Sequence, residues 1–107
     1  MPFLRALIFG AQPDQSGVFR VEKDPVEVTT VQQVFIQLSE RLGVRFVRQD
    51  VPGLREIDAE PLQMIVNGKP AGLVGMYVER DGKCLFPRWS EEFRIGEDDT
   101  IVVSSLA

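Results

Sequence analysis

The tightest constraint on this chain comes from Asp98 to Ala107. Asp98-Asp99-Thr100 reads as a turn, and Ile101-Val102-Val103 follows it as a short β-branched run that is apolar on both faces. A strand apolar on both faces belongs in the middle of a sheet, because at an edge it would template pairing with other chains. The pattern therefore predicts a fold in which the last strand enters between strands made earlier. Ser104, Ser105, Leu106 and Ala107 come after it, and they read as a free tail of small residues leaving a central strand.

The other segments supply the layers around that strand. Phe3 to Phe9 predicts a strand, with Leu4, Ala6 and Ile8 on one face and Phe3, Arg5, Leu7 and Phe9 on the other. Both faces are largely apolar, so this strand too is expected to be central. Gly10 to Gly17 is rich in turn formers and reads as a loop. Val18 to Val21 and Val26 to Val28 then read as one edge strand interrupted at Asp24-Pro25.

One helix is clear. Thr30 caps it, Gln33 completes a capping box, and Val31, Val34, Phe35, Leu38 and Leu42 recur at helical spacing up to Gly43. Val44 to Pro61 is turn-rich, with a short strand near Phe46, and Leu54 and Ile57 are expected to pin it to the body. Leu62 to Val66 predicts a strand. Asn67-Gly68 and Asp81-Gly82 each predict a tight hairpin turn, since both centres suit positive φ. Trp89 and Phe93 are expected to plug the core.

Composition narrows the function. A chain of 107 residues makes one domain with a core of its own, burying roughly 60–70% of its unfolded surface. The net charge is −4, and the 12 Lys and Arg residues form no basic stripe, which argues against nucleic-acid binding. No apolar run reaches membrane-spanning length, and the single cysteine, Cys84, points to the cytoplasm. With no histidine in the chain, Cys84 has no imidazole base and is expected to be buried and inert. Glu91-Glu92 and Glu97-Asp98-Asp99 lack the spacing of a hard-cation loop. These patterns predict no enzyme activity, no metal and no cofactor.

The order of elements is strand, strand, helix, strand, hairpin, final strand. It predicts an α+β, β-grasp (ubiquitin-like) fold: a mixed sheet of four to five strands crossed by one main helix, with an extra hairpin. The final strand lies parallel to the first. Leu4 to Phe9, the helix after Thr30, Ile65-Val66-Asn67-Gly68-Lys69, and Gly96 to Val103 resemble corresponding segments of the ubiquitin-like sulfur carriers, the molybdopterin-synthase small subunit and the thiamine sulfur carrier. That resemblance implies a C-terminal carboxylate adenylated by an activating enzyme and presented to a larger synthase subunit. The family ends in Gly-Gly after an apolar-small pair. Here Leu106-Ala107 stands in place of the pair and the glycines are absent, although glycine alone slips through a narrow channel without a Cβ.

Two readings of function follow. In the first, the chain is a carrier or modifier whose tail, Ser104, Ser105, Leu106 and Ala107, enters a partner protein. Phe3, Arg5, Leu7, Phe9 and Val102 then form the docking face. In the second, it is a structural or regulatory subunit with an inert tail that self-assembles or joins an enzyme complex. Under the second reading an apolar sheet face left open marks the partner.

Overall fold

A computed structural model of the protein describes residues 1–10 and 17–106. Most of the Gly10–Gly17 loop and Ala107 thus lie outside the described residues. Eight elements follow in order: β1 (Phe3–Phe9), β2 (Val18–Pro25), α1 (Val31–Leu42), β3 (Arg45–Arg48), β4 (Leu62–Val66), β5 (Lys69–Arg80), β6 (Lys83–Leu85) and β7 (Thr100–Leu106).

Among the described residues, seven strands form one mixed sheet in the order β2-β1-β7-β5-β4-β3, with β6 paired to β5, rather than the four to five strands expected. β1 and β7 are parallel, and the other pairs are antiparallel. The last strand is central, as its two apolar faces require. Ile101 and Val103 are fully buried on one face and Val102 nearly so on the other.

α1 covers one face of the sheet. Its buried stripe, Val31, Val34, Phe35 and Leu38, packs with Leu4, Ala6 and Ile8 of β1, Leu62, Met64 and Val66 of β4, Val74, Met76 and Val78 of β5, and Ile101 and Val103 of β7. Thr30 Oγ1 accepts from the Gln33 amide at 3.2 Å. The reciprocal half of the expected capping box is displaced by one residue, because Gln33 Oε1 accepts from the Thr29 amide at 2.6 Å. Gly43 closes the helix at φ 67°.

Several sequence expectations are corrected. β2 ends at Pro25 and does not resume, so Val26 to Val28 lies outside any strand; the irregularity comes earlier, where Glu22 and Lys23 form a bulge opposite Arg5. The edge position that Pro25 demands is observed. β5 runs from Lys69 to Arg80 as one strand, since a second bulge, with Gly72 at φ 130°, carries it past Pro70. Asn67 and Asp81 have φ 53° and 51°, each followed by a glycine at positive φ, as both hairpins need. Ile57 is 63% exposed and pins nothing. Cys84 is exposed rather than buried, because β6 is a three-residue edge piece on which Cys84 stands opposite Glu79.

Candidate protein-binding face

The face of the sheet away from α1 carries no helix among the described residues. Alternation along β1 places Phe3, Arg5, Leu7 and Phe9 there, and the register continues the rows across the sheet. Arg5 stands beside Val102, and Val102 beside Tyr77. Phe3 stands beside Thr100, and Thr100 beside Glu79. Leu7 stands beside Ser104, and Ser104 beside Gly75. The five residues expected to form a docking face therefore share one surface. Val102 is its floor at 8% exposure, and Phe9 its most open aromatic side chain at 54%.

Register adds a feature that one strand's alternation cannot show. Phe9 pairs with Val18. The β1–β7 ladder ends at Leu7–Ser104; the same register continued two residues further sets Phe9 level with Leu106. Leu106 pairs with Leu73, Leu73 with Gln63, and Gln63 with Val47. A line of side chains thus crosses all six strands of the main path, apolar except at Gln63. Val18, Phe9, Val47 and Leu106 are four of the eight large hydrophobic residues that stand exposed among the described residues. At about 4.8 Å per strand, the line is roughly 24 Å long.

Beside it lies a shallow depression of about 300 Å³, lined among others by Arg5, Leu7, Arg20, Glu22, Tyr77 and Val102. Arg5 Nη1 is 3.7 Å from Glu79 Oε1, and Arg20 is 3.5 Å from Glu22, in solvent-exposed pairs that add little stability. Lys23 Nζ sits 4.7 Å above the Phe3 ring. Tyr77 meets Phe86 with ring centroids 5.9 Å apart.

The tail residues differ from their expectation. Ser104, Ser105 and Leu106 do not leave the sheet. They continue β7, because β5 is twelve residues long and supplies partners as far as Leu73. Ser105 Oγ accepts the Phe9 amide at 2.9 Å. Leu106 lies over Gly75, where a Cβ would be 3.1 Å from Leu106 Cδ2 and 2.9 Å from Ala59 Cβ.

Ala59 belongs to a strap, residues 49–61, that crosses the end of the face. Its anchors are polar rather than the expected Leu54 and Ile57. Arg88 donates to the carbonyls of Asp58, at 2.6 Å, and Arg55. Glu60 accepts from the Trp89 amide at 2.8 Å and from Arg48 Nε at 3.1 Å. The Arg55 guanidinium, hydrogen-bonded to Asp58, holds that carboxyl below the usual carboxylate range.

Among the described residues, the most extensive polar interaction is structural. Arg80 donates to both carboxylate oxygens of Asp99, at 2.8 and 2.6 Å, and to the Arg94 carbonyl. The Gly96 amide adds a 2.7 Å bond to Asp99, which is 3% exposed. The hydrogen bonds from Arg80 hold the Asp99 carboxyl below its ordinary pKa against the opposing effect of burial. Glu91 closes a local turn, accepting from the Arg88 amide at 3.2 Å. Among the described residues, no three His, Cys, Asp or Glu gather where they could hold a metal ion. Nor, among them, is any helix long and apolar enough to cross a membrane.

Comparison with protein-family profiles, with curated proteins and with solved structures found no match to this chain.

Proposed function

We propose that this chain is a β-grasp domain that works by being bound, without catalysis, and that its partner is a protein seated on the open sheet face. The strand order supports the β-grasp reading. Its parallel β1–β7 pair lies mid-sheet, an antiparallel hairpin partner lies outside β1, and a single helix covers one face. β3 and β6 are additions at the margin. The observation that carries the binding reading is the apolar line Val18–Phe9–Leu106–Leu73–Gln63–Val47. Single exposed hydrophobic side chains are ordinary, but four of them in one row, with half-buried Leu73 among them and Gln63 the one polar member, mark an interaction surface.

Of the two tail readings, the inert one is favoured. A carrier must thread its last residues through a partner, whereas Ser105 and Leu106 are held in the ladder by β5, by the Phe9 amide and by the space over Gly75. Activation would first have to peel that end of β7 away.

Affinity capture from the cell of origin tests the proposal, with wild-type chain beside Phe9→Asp and Val47→Asp. Both side chains are at least 45% exposed, so both variants are expected to fold. Proteins retained by the wild type are expected to be lost with each variant. Retention by both would end the reading. A mass increase on Ala107 after incubation with ATP and an adenylating enzyme would restore the carrier alternative.

A further inference from the structure

We propose that the open face seats a second copy of this chain, related by a two-fold axis lying along β7, so that β1 of each subunit faces β5 of the other. The proposal rests on reading the open face as a binding surface and names its occupant.

Three observations lead to this arrangement. The apolar line crosses β7 at Leu106, with two residues, Val18 and Phe9, on one side and three, Leu73, Gln63 and Val47, on the other. A rotation about β7 lays each Leu106 on the partner's Leu106 and each Phe9 against the partner's Leu73.

The charges on the face are divided in the same way. The β2–β1 half holds Arg5, Arg20 and Lys23 against Glu22, a basic excess in a chain of net charge −4, while β5 holds Glu79 beside Tyr77. An axis along β7 brings Arg5 to the partner's Tyr77 and Glu79. An axis across the strands would instead stack β1 on β1 and set Arg5 and Arg20 against themselves, which like charges resist. The Arg5–Glu79 contact within one subunit is long, and both side chains are more than a third exposed, so each has reach to spare.

The relief agrees with the charges. Ala59 of the strap rises over Gly75, and Gly75 shares a row with Leu7. Under this axis the strap meets the partner's Leu7 and the depression beside it.

Sedimentation equilibrium on the full chain and on R5E and E79R tests the proposal. The wild type is expected to dimerise. Each variant alone is expected to weaken dimerisation by at least about tenfold, because it sets like charges against each other across the axis. An equimolar mixture of the two variants is expected to dimerise again. In the mixed pair, the R5E subunit is acidic at both positions and the E79R subunit basic at both, so opposite charges meet on both sides of the axis. Breaking the contact within each subunit cannot produce that recovery.

A wild type that stays monomeric up to about 1 mM would overturn the proposal. It would leave the face free for a different protein, which the Phe9→Asp capture reads separately. Dimers unaffected by either substitution, or a mixture that stays monomeric, would also overturn it.

Discussion

Asp99 ties three parts of the molecule together. Its carboxylate accepts from Arg80 of β5 and from the Gly96 amide, and its carbonyl accepts from the Phe3 amide of β1 at 2.9 Å. It therefore locks the turn into β7 to both strands that flank β7. Asp99→Asn removes the charge but keeps the shape, leaving Arg80 a neutral partner, and is expected to cost about 2 kcal/mol in urea unfolding. The pH dependence has a definite sign. The folded pKa lies below the 3.8 of a free side chain, so the stabilisation is complete above about pH 4 and is lost as pH falls through the lowered value. In Asp99→Asn that part of the acid limb should disappear. Cys84 gives a second residue-scale test. Being exposed, it should react completely with a thiol reagent under native conditions, and a protected thiol would contradict the position of β6.

Among the elements, the strap is held by contacts that hydrophobicity does not predict. Gly75→Ala puts a methyl group 2.9 Å from Ala59 Cβ, so the strap or Leu106 must shift, at a cost of roughly 1–3 kcal/mol. Ala59→Gly in the same chain should recover most of that loss, and a double-mutant cycle on thermal unfolding measures the coupling. Such contacts explain which parts of the fold can be read from sequence. α1 is legible because Thr30, Gly43 and a 3.6-residue stripe agree, and both hairpins because Asn67-Gly68 and Asp81-Gly82 demand positive φ. The strap anchors are not legible, because apolarity alone singles out Leu54 and Ile57. The chain is in fact tied through backbone carbonyls to Arg88, which lies thirty or more residues away. The strand read as interrupted at Asp24-Pro25 misleads because its irregularity is a bulge at Glu22 and Lys23, after which pairing reaches Pro25 and ends. Of the candidate site, Phe3 to Phe9 and Val102 are legible from alternation. The line through Val18, Leu73 and Val47 is not, because it exists only once five registers are known.

At the scale of the whole molecule, the proposed dimer makes a further prediction. Arg5, Glu79 and their partners lie at the rim of an apolar contact, so added salt should weaken association by screening them. Phe9→Asp should abolish association at any ionic strength. A dimer that tightens in salt while surviving Phe9→Asp would place the contact elsewhere.

The parallel pairing of β1 with β7 also decides how the molecule bears tension. Among the described residues, the β2-β1 and β5-β4-β3 groups share no strand pairing except through β7. A pull applied at Phe3 and at Leu106 drags two parallel strands past one another, loading the five registered pairs from Phe3–Thr100 to Leu7–Ser104 together. The same pull across the antiparallel β4–β5 hairpin would open its bonds one after another, like a zip. Stretched from its two ends, the domain should therefore resist until it yields in one abrupt step.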